Sequence, residues 1–525
     1  MTTTDTPEPD AGEPDATPSI TPEEWRTCLR VLSAVVADRA HLAGVPAEER
    51  KELVMLAGRV ARPERHEVVR LTKALRRADR KAQRDADLAA LSQSGLRVQR
   101  KAPVYTPLWL TPPEEAPEQR AGPELGQERH CYVCKQPFRK VHFFYDAMCA
   151  ECGDFNYAKR SQTADLTGRV ALITGARVKI GYQAALMVLR AGATVVATTR
   201  FPQDAAERFS REPDFPSWQG RLHIHGLDLR HSPAVELLAR HLCQTLPRLD
   251  IIINNACQTV RRPPAFYAHL LERESLAPGA LPGEQRRLLD SHEELKRTLR
   301  SQAAAPTTEV ARQLMPVTAG APGVGVWGSA MLSQVRFLDE DFIPGRELFP
   351  RHRYDEDLQQ VDLREVNSWR LTLSEVSTPE LLEVHLVNAV APFVLNSKLK
   401  PLMLRTPGRD KHVVNVSAME GQFYRAAKTD RHPHTNMAKA ALNMMTRTSA
   451  PDYVKDGIHM NSVDTGWVTD EDPAVHAARK AELGFQPPLD IVDGAARICD
   501  PFFHGLNTGQ HAWGQFFKDY KPAPW

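Results

Sequence analysis

Between Arg169 and Arg200 the chain has few ways to fold. Val170 to Ile173 is a short apolar run that suits a buried parallel strand. Thr174-Gly175 turns out of it. An amphipathic run follows in which Ala184, Ala185, Met187, Val188 and Leu189 make an apolar helix. Ala193 to Thr199 is a second strand, β-branched and apolar. The result is one strand–helix–strand unit. The free N–H groups and dipole at its helix N-terminus favour an anion, and glycines let the backbone approach it. Gly175 and Gly181 are in place, with Ile180 between the turn and the helix, while Lys179 stands where a middle glycine is expected.

Further segments repeat the pattern downstream. Leu222-His-Ile-His leads to Asp228-Leu229, and Asp250-Ile-Ile-Ile runs into Asn254-Asn255-Ala256. Later come Val387-Asn388-Ala389, Val413-Val-Asn-Val-Ser417, Met437-Ala-Lys439-Ala-Ala-Leu, and Asn461-Ser-Val-Asp-Thr-Gly466-Trp-Val-Thr469. In this order they resemble the short-chain dehydrogenase/reductase family, over roughly Ala164 to Trp525. The resemblance implies an α/β fold, a doubly wound parallel Rossmann sheet, and hydride transfer between NADP(H) and a carbonyl or alcohol. It also implies a homo-oligomer.

By that resemblance Thr174, Gly175, Ile180 and Gly181 hold the cofactor's diphosphate end. Asp228 and Leu229 take the adenine edge, and Asn254 and Ala256 line the adenosine side. Val468 and Thr469 contact the nicotinamide and the diphosphate. The second strand ends in Arg200, where a carboxylate would select NAD; Arg200, with Arg177, points instead to the 2′-phosphate of NADP. NAD remains the alternative cofactor.

In the family a Tyr gives the proton to the carbonyl oxygen, a Lys four residues later tunes it, a Ser orients the substrate and an Asn holds the Lys. Lys439, Ser417 and Asn388 match. The Tyr position is Thr435. A phenol titrates near pH 10 and can be tuned down by an ammonium; an aliphatic hydroxyl cannot trade its proton near neutrality. Tyr424, His432 and His434 are the substitutes that this stretch offers. The mixed record leaves two function classes: an oxidoreductase with a rearranged proton donor, or an NADP(H)-binding protein without turnover that engages a macromolecule.

The N-terminal third carries a second signal. Cys131-Tyr-Val-Cys134 and Cys149-Ala-Glu-Cys152 form two C-x2-C pairs fourteen residues apart. Four thiolates complete a tetrahedral shell that zinc accepts, with no position left for catalysis, so the metal is expected to be structural. Redox dithiols are the competing reading, and His130 and His142 are alternative ligands. Cys28, Cys243, Cys257 and Cys499 are scattered and read as core cysteines.

These signals set the expected domains. Residues 1–20 are an acidic, disordered tail. Residues 21–122 are a helical region and Pro-rich linker, opened by the Thr21-Pro-Glu-Glu24 capping box, with Trp25, Leu29, Leu32 and Val36 as a core stripe. Residues 125–162 are the zinc knuckle and 163–525 the dehydrogenase-like domain. Its insertion spans about 258–378, leaves a strand's carboxyl end and is expected to cover part of the active site.

From Leu71 to Ala102 nine basic residues face three acidic ones, a local +6 that reads either as a solvated face or as a site for a phosphate-bearing or anionic macromolecule. The whole chain, at +2 and 25% charged, shows no bulk attraction to nucleic acid or membrane. No apolar run suits a bilayer span and the acidic start is opposite to a signal peptide, so a cytoplasmic setting and a small-molecule substrate are expected.

Overall fold

The computed structural model describes residues 20–101, 121–303, 323–343, 345, 347–355, 357–424, 428–469 and 471–525. The expected acidic tail, most of the Pro-rich linker and the Ala-rich centre of the insertion lie outside them. The chain divides into two compact units, one ending at Arg84 and the other starting at Asp85.

The first unit holds α1 (Pro22–Ala37), α2 (Ala47–Ala61) and most of α3 (Arg65–Leu91). Thr21 caps α1 and its backbone N–H donates to Glu24 at 2.7 Å, closing the capping box. The apolar stripe that follows is not a core. No residue of α1 or α2 is buried, and Trp25 is 54% and Val36 83% exposed.

The second unit opens with the end of α3 and with α4 (Gly95–Arg100), followed by the antiparallel pair β1 (Ala121–His130) and β2 (Pro137–His142) and by α5 (Ala150–Lys159). Leu91, Leu125 and Val141 make a small core of their own. The large sheet comprises β3 (Val170–Thr174), β4 (Thr194–Thr199), β5 (Leu222–Gly226), β6 (Ile251–Asn254), β7 (Lys411–Ser417), β8 (Ile458–Asp464), β9 (Phe516–Lys518) and β10 (Lys521–Ala523). Its spatial order is β10-β9-β8-β7-β6-β3-β4-β5, parallel except for the terminal β9–β10 pair.

Alternation along the central strands divides the core in two. Ala171, Ile173, Val414, Val416 and Val463 pack towards α6 (Lys179–Arg190) and a C-terminal helix, Ile491–Thr508. Leu172, Ile252, Val413 and Met460 pack towards helices Ser232–Thr245, Ala391–Met403 and Pro433–Tyr453. In chain order the remaining helices used below are α7 (Pro202–Ser210), α8 (Ser232–Thr245), α9 (Pro264–Glu274), α10 (Asp290–Ala303), α11 (Thr378–His385), α12 (Ala391–Met403), α13 (Pro433–Tyr453), α14 (Ala474–Glu482) and α15 (Ile491–Thr508). A doubly wound parallel sheet of this kind gathers its loops, and therefore its ligands, beyond the strands' carboxyl ends.

Candidate functional site

Two glycines shape the turn after β3. Gly175 has φ +67°, and a Cβ there would come 2.8 Å from the Ala256 backbone. A Cβ on Gly181 would come 2.3 Å from both the Asn255 amide and the Gly175 carbonyl. Thr174 and Ala256 are joined by a 3.0 Å bond from the Ala256 N–H to Thr174 Oγ1. Lys179 takes the left-handed conformation, φ 55°, where a middle glycine was expected. Its ammonium lies 3.9 Å from Asp357 of the insertion, and Glu471, Asp357 and Asp355 hold its pKa up against burial.

Several residues read as cofactor contacts have partners within the chain. Arg177 is buried and pairs at 2.7 Å with Asp204, a carboxylate that Arg208 also engages at 2.8 Å. The Asp228 carboxylate meets Arg230 at 2.7 Å, and the Asp228 N–H donates to Gly325 of the insertion at 2.8 Å. Leu229 is buried beside it. The Asn254 amide donates to Asn396 and Asn415 inside the sheet layer, whereas Asn255 bridges to the Thr174 and Gly175 carbonyls. Arg200 differs. Its guanidinium donates to the Tyr267 hydroxyl at 2.7 Å and lies 4.5 Å from that ring's centre, and no ion pair engages it among the described residues. The insertion thus covers the turns after β3, β4 and β5, as Arg208 also shows by donating to the Asp357 and Leu358 carbonyls.

At the other half of the sheet, Asn388 sits in a π-helical turn, Leu386–Val390, between α11 and α12. Its side chain brackets Gln258, accepting from the backbone N–H at 2.8 Å and donating to the carbonyl at 3.0 Å. Such π turns often occur at functional sites. Ser417 ends β7. Lys439, on α13, donates to the Val416 carbonyl at 2.8 Å, which fixes the ammonium at that strand end. The Ser417 and Thr435 hydroxyl oxygens are both buried without a hydrogen-bond partner among the described residues. Two orphaned hydroxyls at one strand end and one helix start fit a ligand that supplies their missing partners.

The proposed proton donors are scattered. Tyr424 is 97% exposed. His432, the N-cap of α13, stacks on Trp369 with ring centres 3.9 Å apart and 4° between planes, and burial lowers its pKa. His434 is buried with Nε2 3.7 Å from Glu380. Asp464, which in the sequence reads as a plain loop residue, ends β8 in register with Ser417. Burial, reinforced by Glu420 and Asp519, pushes its carboxyl up to about 6, against the ammonium of Lys518 at 3.9 Å.

The four cysteines converge. Their sulfur atoms all lie within 4.8 Å of one another, and Cys134 and Cys149 are 3.8 Å apart. Ligands at about 2.3 Å around a tetrahedral ion stand roughly 3.8 Å apart, so the set fits one. His142 is otherwise used: its Nδ1 accepts the N–H groups of Phe144 and Tyr145, both at 3.1 Å. Of the basic stretch, Arg97 pairs with Asp146 at 2.6 Å and Arg100 donates to the Leu489 carbonyl at 2.8 Å, so both serve internal contacts.

Comparisons with known proteins follow the same outline. Residues 169–270 match the family model described as short chain dehydrogenase, and residues 367–483 match that described as enoyl-(acyl carrier protein) reductase. The interval between them falls in the insertion. An uncharacterized protein of Acanthamoeba polyphaga mimivirus is 30% identical over 401 residues, 74% of each chain. A short chain dehydrogenase/reductase of Colletotrichum higginsianum is 38% identical over 100 residues, 18% of this chain and 24% of that one. Among solved structures, the RhlG/NADP complex of Pseudomonas aeruginosa is 17% identical, covering 67% of this chain and 95% of that one at a TM-score of 0.40. No helix among the described residues is long and apolar enough to cross a membrane.

Proposed function

We propose that this chain, which belongs to the short-chain dehydrogenase/reductase family, is an NADP(H)-dependent oxidoreductase acting on a carbonyl or alcohol. The observation that carries the reading is the pair of orphaned buried hydroxyls, Ser417 and Thr435, beside the anchored Lys439. When bound, the dinucleotide supplies or accepts the hydride. Gly175 and Gly181 would admit its diphosphate to the turn, and Arg200 would take its 2′-phosphate. Val468 and Thr469 would contact the nicotinamide and the diphosphate.

The chain's own residues handle the oxygen and the proton. Ser417 Oγ holds the substrate oxygen. Lys439 uses one of its three donors on Val416 and keeps the others for the ribose. Thr435 hydrogen-bonds but cannot release a proton near neutrality. Asp464 is the proton donor, because its carboxyl shares a strand-end row with Ser417 and populates both protonation states close to neutral pH. In the reductive direction the carboxyl gives its proton to the oxygen, yielding the alcohol, and regains one from water. The four cysteines hold a structural zinc.

The second reading, a cofactor-binding protein without turnover, is favoured by Thr435 and by the seating of the insertion on Asp228 and Lys179. NADPH oxidation over a library of aldehydes and ketones, with NADP+ reduction over the matching alcohols, separates the two. Tight NADPH binding with no turnover of any member would favour the second reading.

A further inference from the structure

We infer that Tyr132, one of the two residues inside the first cysteine pair, is a positioning residue that clamps the proposed cofactor loop Asp464–Thr469 from the four-cysteine knuckle. The Trp467 N–H donates to the Tyr132 hydroxyl at 3.0 Å. Gly466, at φ +76°, makes room for that approach: a Cβ there would come 3.2 Å from the same hydroxyl and 2.5 Å from Leu489. A second element that precedes β3 in the chain holds the loop's other flank. The Arg100 guanidinium donates to the Val468 carbonyl at 3.4 Å and to the Leu489 carbonyl at 2.8 Å. An amide and a carbonyl of the loop are therefore both held by parts of the molecule that lie outside the dehydrogenase-like region of the sequence.

The clamp is itself rigid. Tyr132 lies between Cys131 and Cys134, so the four-thiolate cluster fixes its turn, and its own N–H donates to Ala147 at 2.8 Å. The knuckle is then seated on α15 by buried charge. Arg160 meets Asp490 at 2.7 Å and Asp493 at 2.9 Å, and the Tyr145 hydroxyl donates to Asp493 at 2.5 Å. Buried polar groups satisfied in this way hold one geometry rather than several. A loop ordered before its ligand arrives has less freedom to lose on binding. This inference rests on the reading that Val468 and Thr469 contact the cofactor.

Tyr132→Phe in the full chain keeps the ring and removes only the acceptor. Three quantities are compared with the wild type: hydrogen exchange of the peptide spanning Asp464–Thr469 without cofactor, the NADPH dissociation constant by nicotinamide fluorescence, and the thermal midpoint with zinc content checked. The expected result is faster exchange of that peptide and NADPH binding weakened about three- to tenfold, the range of one lost hydrogen bond. The midpoint and zinc content stay at wild-type values, which separates positioning from general support of the fold. Unchanged exchange overturns the clamp whatever the cofactor does. Faster exchange with unchanged NADPH affinity overturns the link from clamp to cofactor. Failure of the wild type itself to bind NADPH overturns the cofactor reading, while the exchange arm still decides the clamp.

Discussion

Ser417 and Asp464 are register partners at the carboxyl ends of β7 and β8. Two residues earlier on the same strands, Asn415 and Ser462 both hydrogen-bond Thr446 of α13, each at 2.9 Å. With a side-chain period of two, Ser417 and Asp464 continue that face, the one that α13 covers. A hydroxyl with no partner among the described residues and a carboxyl pushed up by burial to about 6 thus occupy adjacent places under the helix that carries Thr435 and Lys439.

The carboxyl makes stability depend on pH. Its folded value, about 6, lies above the 3.8 of an unperturbed Asp, chiefly because burial penalises the charge. A group raised on folding favours the fold fully below its unfolded value and withdraws that contribution as pH rises through the folded value. Asp464→Asn is therefore expected to gain stability over the wild type as pH rises from about 4 to about 8, by up to roughly 3 kcal/mol. Denaturant unfolding of both proteins across that range checks it. A difference that does not vary with pH would assign the titration to another group.

Zinc removal should unfold the seam between the knuckle and α15. Cys149→Ser removes one of four converging sulfurs and is expected to release the metal. The binding energy of such sites is largely folding energy, so the loss should be several kcal/mol, roughly 3 or more. Elemental analysis of the purified chain should give one zinc, and the variant none. Wild-type protein purified without chelators and found free of zinc would remove the site.

What the sequence made legible follows from what local pattern encodes. The apolar runs of β3, β4 and β6 and the glycines at 175 and 181 announce themselves, because strand burial and close backbone approach restrict residue type directly. Ser417 and Lys439 were legible through resemblance alone, because they match the positions of the family's Ser and Lys in the order of its motifs. Pairings across the chain were not legible. Nothing near Arg177 says that it shares Asp204 with Arg208, and nothing near Asp464 says that its neighbour is Ser417. Tyr424 had the right chemistry but stands in solvent, ahead of the helix that begins at Pro433. The stripe on α1 had helical period, but period alone does not supply a surface to bury against.

Cofactor preference is expected to turn on Arg200. Arg177 is ion-paired with Asp204, which it shares with Arg208, whereas Arg200 has no ion pair among the described residues, lies against the rings of Tyr267 and Phe201, and can add a phosphate to those contacts. NADPH is expected to bind at least about tenfold more tightly than NADH, a margin of roughly 1.4 kcal/mol. Arg200→Asp should reverse the order. Calorimetric titration of both cofactors against both proteins decides it, and equal affinities in the wild type would deny Arg200 this role.

The proton donor supplies the last test. Lys439→Ala should abolish turnover and weaken NADPH binding, since the ammonium is the group fixed at the Val416 carbonyl. Thr435→Val should weaken ligand binding but keep the pH-rate inflection, because that hydroxyl hydrogen-bonds yet cannot trade its proton near neutrality, and Tyr424→Phe should cost little because the ring is exposed. Positioned acid–base catalysis is worth about 10²–10⁴-fold. Asp464→Asn should lose a comparable factor in the hydride-transfer rate, together with the pH-rate inflection near the carboxyl's value of about 6. His434→Ala is the decisive contrast. Its ring faces Glu380 of α11 at 3.7 Å, a pairing that supports the start of α13. That variant should lower stability while keeping the inflection. If the inflection instead vanished with His434 and survived in Asp464→Asn, the proton would pass through the imidazole, and the strand-end carboxyl would be a bystander.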